Sequence, residues 1–277
     1  MTGSRPPLFD FRASRLKRAR AKGADRFLEA AALEGLAERL TAVRRKFDAG
    51  LAIGDAVPRS LQGAAAAWTV ADFDEREFLA AQSQSFDLVV SLFSLQAIND
   101  LPGALVQIRR ALKPDGLFLG MLLGGSTLQE LRASFAAAES ETLGGISPRV
   151  SPFADVRDLG GLLQRAGFAL PVADVERLTV RYGDFLRLVR DLRAHGLTNV
   201  MSERSRKFLR RDTLGALAAH YGAHHGHMGK LTATYEIITL TGWSPHESQQ
   251  QPLRPGSAKT RLAEALGTVE HKTGDVT

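Results

Sequence analysis

The chain of 277 residues contains no cysteine, which excludes disulfides, thiolate catalysis and cysteine-ligated metal and is compatible with a reducing compartment. No apolar run approaches the roughly 20 residues that a bilayer-crossing helix needs, and the first residues carry no secretory apolar core. Aromatic residues make up only 7% and nowhere interleave with cations as in nucleic-acid-reading motifs, so no nucleic acid partner is expected. Also missing are a Ser-His-Asp set, a phosphate-binding glycine loop, a pair of spaced carboxylates, a His-x-Asp metal triad and any internal repeat.

What is present is a hydrophobic content of 44%, enough for one sizeable α/β core with a small appendage. The net charge of +6 permits contact with an acidic partner or an anionic membrane surface, although Arg-rich helices that merely solvate themselves give the same balance. Much of the excess sits in residues 1–22, where Arg5, Arg12, Arg15, Lys17, Arg18, Arg20 and Lys22 face only Asp10. A mitochondrial presequence looks similar but would carry an apolar face. The segment reads as the basic leader of a cytoplasmic protein that can lie peripheral to the inner membrane.

Residues 85–120, SFDLVVSLFSLQAINDLPGALVQIRRALKPDGLFLG, organise the rest. Phe86–Leu92 is a β-branched apolar run, the pattern of a strand buried on both faces. Asn99 and Asp100 precede a helix in which Leu101, Leu105, Ile108 and Leu112 recur at helical spacing and Arg109, Arg110 and Lys113 suit the dipole at its end. Pro114-Asp115-Gly116 stops that helix, and residues 117–123 form the next buried strand. Strand, helix, turn and strand make one βαβ unit, which requires a parallel sheet around it.

Upstream, Asp25 is placed to cap a helix over 26–45 with Phe27, Leu33, Leu36, Leu40 and Val43 on one stripe. Residues 46–60, KFDAGLAIGDAVPRS, hold Asp48, Gly50 and Gly54 in what resembles a βα turn, where glycines let backbone N–H groups approach a ligand. Ala49, Gly50 and Ala52 are poor strand residues. If Asp48 ends the first strand, the residues before Asp87 are too few for two complete βα units, which would need about 50. Residues 63–67 suggest no strand and only 68–71 do, so one βα unit is shortened or missing. Downstream, Ser126 or Thr127 is expected to cap a helix from Leu128, Asp155 another ending at Gly167, and residues 204–222 a third, with strands within 170–182 and over 234–243. His220 and His224 have helical spacing, but no carboxylate accompanies them and glycines interrupt the helix, so no metal site is expected.

The 85–120 unit resembles strands four and five, with the helix between, of class I S-adenosylmethionine-dependent methyltransferases. More narrowly, LFDFRASRLKRAR, GGSTLQELR, GGISPRVSPFADVRDLGGLLQRAGF and GWSPHESQQQPLRPGSA are similar to the branch of bacterial relatives of mitochondrial complex I assembly factor five, an arginine hydroxylase of a complex I subunit. The resemblance covers about 8–267. It implies an α/β, Rossmann-like sheet, mostly parallel with an antiparallel last strand, helices on both faces and a shortened N-terminal βα region. Residues 1–45 would be a basic segment and helix, 46–267 the domain with a helical insertion near 184–230, and 268–277 a disordered tail.

By the same resemblance S-adenosylmethionine is the cofactor. Asp48, Gly50 and Gly54 stand for the family's first-strand motif, Asp72 matches the acid near the adenine amine, and Ser91 and Leu92 match positions lining the cleft. Asp72 reads equally as a turn residue, Gly50 and Gly54 as loop glycines, and Ser91 as a small strand-end residue. The motif is degenerate, the ribose-binding acid has no counterpart, and Gln96-Ala97 replaces the family's His-Trp. Two readings follow. One is a methyltransferase-class enzyme acting on a protein, such as a respiratory complex I subunit. The other is a non-catalytic relative kept as an assembly scaffold.

Overall fold

The structure is a computed structural model that describes residues 6–21, 26–250, 264 and 267–268. The chain divides into Met1–Pro245 and a small unit, His246–Thr277. In the small unit the His246 Nδ1 meets Ser248 Oγ at 2.7 Å. Asp25, the 252–258 motif and residues 269–277 lie outside the described residues.

The large unit is one mixed sheet: β1 (Phe47–Ile53), β2 (Ala65–Ala71), β3 (Phe86–Leu92), β4 (Leu112–Leu123), β5 (Ala169–Tyr182), β6 (Gly226–His227) and β7 (Lys230–Trp243). The strand order is β2-β1-β3-β4-β7-β5. β2, β1, β3 and β4 are parallel, and β7 enters antiparallel to both β4 and β5. This is the Rossmann-like sheet expected. The helices are α1 (Phe11–Arg20), α2 (Phe27–Ala42), α3 (Leu101–Ala111), α4 (Gln129–Leu143), α5 (Val156–Arg165), α6 (Phe185–Ala194) and α7 (Arg211–His225).

The βαβ unit forms as its residues dictate. Asp100 caps α3 through the Gly103 N–H at 2.9 Å, Leu105 and Ile108 are fully buried on its inner stripe, and Phe86–Leu92 is buried along almost its whole length. The 114–116 turn lies inside β4 rather than before it. Pairing jumps from Phe86↔Leu112 to Leu88↔Leu117, an irregularity that takes up the extra residues. α3 and α5 cover one face with Phe118 and Leu163, and α2 covers the other with Leu36 against Leu88 and Leu117.

The first strand is where the structure corrects the sequence. β1 starts at Phe47 and runs on to Ile53, so Asp48 lies near its beginning, exposed. Its small residues make room for a neighbour. Gly50 pairs in register with Trp68, and a Cβ on Gly50 would stand 2.6 Å from the indole. Between β1 and β2 there is only a 3-10 turn, Arg59–Ala64, and no helix separates β2 from β3; the shortened βα region is real. β2 begins at Ala65, earlier than its alanines suggest. At α4 the expected Ser or Thr cap does not form. Leu128 sits at φ 55 with no capping side chain, because Thr127 Oγ1 accepts from the Glu236 N–H at 3.0 Å instead. α7 begins at Arg211, not 204, since Arg204 is drawn away to Asp10 at 3.0 Å.

Candidate functional site

Ligands of open α/β sheets sit beyond the carboxyl ends of the strands, where successive connections diverge. Here the chain leaves β1 for β2 on one side and returns to β3 on the other, so that point lies at Ile53 and Leu92. A cavity of about 600 Å³ occupies it, lined by Ile53, Gly54, Leu92 and Ser94 from the strand ends and by α1, α2 and the 195–200 loop.

Gly54 turns the chain off β1 at φ 135, a conformation that L side chains rarely adopt. Its N–H donates to Ala71 O at 2.9 Å. Ser94 Oγ donates to Ile53 O at 2.8 Å and so clamps the ends of β1 and β3 together. A Cβ on Gly54 would lie 2.7 Å from that hydroxyl. Bare backbone therefore faces the cavity here because nothing larger than glycine fits.

The N-terminal segment closes one side. Asn99 Oδ1 accepts from the Phe9 N–H at 2.8 Å and its Nδ2 donates to Phe9 O at 3.3 Å. The Asp10 N–H reaches Val200 O at 2.8 Å and the Ser202 N–H reaches Leu8 O at 2.9 Å. The Ala13 N–H first, and Arg204 after burial is offset, hold the Asp10 carboxyl below its usual range. Burial pushes the Lys17 ammonium down, and it donates to Asn199 O. α1 itself buries no side chain, so polar contacts position it.

The cavity wall is charged in both signs. Arg18 meets Asp72 at 2.8 Å, Arg26 pairs with Glu29, and Asp55 and Arg59 follow Gly54 at the rim. This suits a zwitterionic or polar small molecule held by backbone at the sheet end. Of the residues proposed from sequence, Gly54 and Leu92 line the cavity and Asp48, Gly50, Asp72 and Ser91 do not. Asp48 is at the opposite end of β1, Trp68 covers Gly50, and Asp72 is turned to Arg18 and to its neighbour's N–H, Phe73, at 2.9 Å. Ser91 is fully buried, its hydroxyl without a partner. Sequence reasoning missed Arg18, Ser94 and the 195–200 loop; they reach the cleft through contacts distant in sequence, which no local pattern announces. Among the described residues no group of three His, Asp or Glu is placed to hold a metal, and no helix is long and apolar enough to cross a membrane.

A methyltransferase domain model aligns with residues 12–171. The human "Arginine-hydroxylase NDUFAF5, mitochondrial" is 45% identical over 204 residues, 73% of this chain and 59% of that protein. A malonyl-[acyl-carrier protein] O-methyltransferase of Laribacter hongkongensis is 35% identical over 198 residues, 72% of this chain and 63% of that one. The chain thus spans less than two thirds of the length of these relatives. The YcgJ protein of Bacillus subtilis superposes with a TM-score of 0.51 at 12% identity, covering 78% of this chain and 99% of its own, a likeness of fold alone. A family match that extends from α1 into β5, over more than half of the chain, makes this chain a member of the methyltransferase-domain family, related to the NDUFAF5 arginine hydroxylases.

Proposed function

We propose that the cavity at the ends of β1 and β3 binds S-adenosylmethionine and that the protein acts on a protein substrate during maturation of respiratory complex I, with arginine as the modified side chain. The observation that carries the reading is Gly54: a positive-φ glycine presenting backbone to a cavity of sufficient size at the sheet's switch point. The residues present fit the cofactor. Gly54 and the N–H groups after it would approach the methionine part, with Asp55 and Arg59 beside them for its ammonium and carboxylate. The cofactor, when bound, supplies an electrophilic methyl carbon. The chain's own residues bind, orient and exclude water, which is most of what group transfer by alignment requires. The arginine hydroxylase relative supports a protein substrate, and the resemblance to the complex I assembly branch supports the pathway.

Isothermal titration of the protein with S-adenosylmethionine tests this. The expected result is micromolar binding, weakened at least tenfold, or ~1.4 kcal/mol, by Gly54→Val, whose Cβ displaces Ser94 and whose φ is strained. No heat up to millimolar ligand, from protein that melts cooperatively, sinks the reading. A second reading, a non-catalytic assembly scaffold, is favoured by two observations: Trp68 seals Gly50, and Arg18 occupies Asp72.

We further place the protein against the inner membrane as a peripheral partner. Phe208 is 99% exposed, flanked by exposed Arg206, Lys207, Arg210 and Arg211, a pairing of aromatic wedge and cations that suits anionic headgroups. Sedimentation with vesicles containing anionic lipid is expected to fall severalfold for Phe208→Ala and at high salt; equal sedimentation of both proteins overturns it.

A further inference from the structure

Away from the cleft, His220, His224 and His225 lie in the last two turns of α7, and His227 follows in β6. In the sequence, Gly222 and Gly226 suggest a helix interrupted between these histidines. In the structure α7 runs unbroken from Arg211 to His225, so His220 and His224 stand one turn apart on the same face. Their rings stack, with centroids 4.0 Å apart and planes inclined by 17°. His224 is exposed and His220 half-buried. The Nε2 of His220 keeps contact with solvent, unlike that of His225, which is buried.

Each of the two rings is fixed through its Nδ1. His224 Nδ1 meets His220 O at 3.0 Å. A carbonyl only accepts, so this nitrogen carries the proton, and the lone pair of the neutral ring lies on Nε2. His220 Nδ1 meets Ser134 Oγ of α4 at 3.1 Å; a hydroxyl can accept in the same way. Neither Nε2 hydrogen-bonds to a protein group among the described residues. A second nitrogen that donates to a fixed acceptor is the usual support of a metal-ligating imidazole, because it sets tautomer and ring direction. Burial, with His224 and His225 nearby, holds His220 below its ordinary 6.5, in the neutral form that can ligate. The pair also sits at the C-terminal end of its helix, where the macrodipole favours a cation.

We propose that His220 and His224 form a two-histidine site for a borderline divalent transition-metal ion, Zn²⁺ or Cu²⁺, held by the two Nε2 atoms with water in the remaining positions. Metal–nitrogen bonds of about 2.0–2.1 Å put two such nitrogens roughly 3–3.4 Å apart. Rings already stacked at 4.0 Å need only a side-chain adjustment to reach that spacing. Two imidazoles without a carboxylate suit Zn²⁺ and Cu²⁺ and offer nothing to Mg²⁺ or Ca²⁺, which take oxygen ligands. Among the described residues no third His, Asp or Glu joins them, so the site is open and its affinity modest beside a closed four-ligand zinc site. An ion across this turn would fasten the end of α7. None of these residues lines the cleft, so the site stands whether or not S-adenosylmethionine binds there.

Isothermal titration of the untagged, EDTA-treated full chain with zinc chloride at neutral pH tests the site. One ion per chain is expected, with a micromolar Kd, with cupric chloride bound more tightly and magnesium chloride silent. His224→Ala, at an exposed position, is expected to weaken zinc binding by about a hundredfold, the order by which a second linked contact raises affinity. His227→Ala is expected to leave it unchanged. Imidazole ¹⁵N spectra should show the Nε2 signals of His220 and His224 moving together as zinc is added. Zinc held as tightly by His224→Ala, an equal loss in His227→Ala, movement of only one of the two rings, or saturation only at millimolar zinc would each overturn the site.

Discussion

Replacing Glu139 by Ala is expected to lower stability by about 3 kcal/mol and to release the 145–154 segment, whose Ser151 and Phe153 line the cavity. Glu139 lies on the inner face of α4 with its side chain completely buried. It accepts from the Ser147 N–H at 2.7 Å and the Ser147 hydroxyl at 2.8 Å, and from Arg149 Nε at 2.6 Å. Arg149 also stacks over Phe135 at 5.8 Å. Losing one partner of a buried pair costs about 3–5 kcal/mol because the other charge is stranded; Arg149 retains some contact with water, so the lower end applies. A urea midpoint about 1 M lower is the readout, together with faster amide exchange across 145–154. An unchanged midpoint would show that the pair contributes nothing.

The same carboxylate gives a pH dependence. Burial alone pushes Glu139 up, but the Ser147 N–H, Arg149 and the Ser147 hydroxyl outweigh it and hold it below its ordinary 4.5. Asp87 behaves alike: burial raises it, while the Ala49 N–H and Lys113 bring it below 3.8. A group whose pKa is depressed by folding stabilises fully above its unfolded value and loses that stabilisation as pH falls through the folded one. Wild-type stability should therefore decline from about pH 4.5 downward, and Glu139→Gln should show a shallower decline. Parallel curves for the two proteins would rule out the Glu139 contribution.

The fold was legible wherever burial is signalled by large apolar residues. Phe86–Leu92 and the stripe Leu105, Ile108 announce the βαβ unit because a strand buried on both faces needs continuous bulk and α3 needs one greasy side. β1 was harder for a physical reason. Its Gly50 is small because Trp68 of the neighbouring strand fills the space above it, so a strand central to the sheet carries the composition of a loop. Asp48 consequently looked like a strand end. The cleft was legible at Gly54 and Leu92, which belong to the strand ends themselves. It was illegible at Phe9, Arg18 and the 195–200 loop, whose positions depend on Asn99, Asp72 and Asp10, each far away in the chain. The Thr127 misreading has the same origin: a capping residue taken over by a tertiary partner, Glu236.

Phe118→Ala should be the more severe change, costing about 3–5 kcal/mol, the range for deleting a buried aromatic ring and leaving its space empty. Phe118 is fully buried in β4, stacked on Phe168 with ring centroids 5.5 Å apart. The sheet makes room for the pair with glycines. A Cβ on Gly120 would meet the Phe118 ring at 2.5 Å, and one on Gly242 would meet Phe168 at 2.8 Å. Gly242 is also the register partner of Phe118. The rings thus fill gaps left by two bare backbones, and no longer side chain on the strands beneath can swing in to replace a lost ring. Collapse around the hole should be small and the cost near the top of its range. At about 2–4 °C per kcal/mol for a chain approaching this size, the melting temperature is expected to fall by about 10–15 °C. Because Phe118 joins α3, α5 and the sheet in one cluster, the loss should be global: fluorescence and circular dichroism should shift together, without the selective loosening of 145–154 that marks Glu139→Ala. Phe118→Leu, which keeps most of the volume, should recover more than half of the loss. If Ala and Leu melt alike, the stack over the two glycines is not what holds the centre of the sheet.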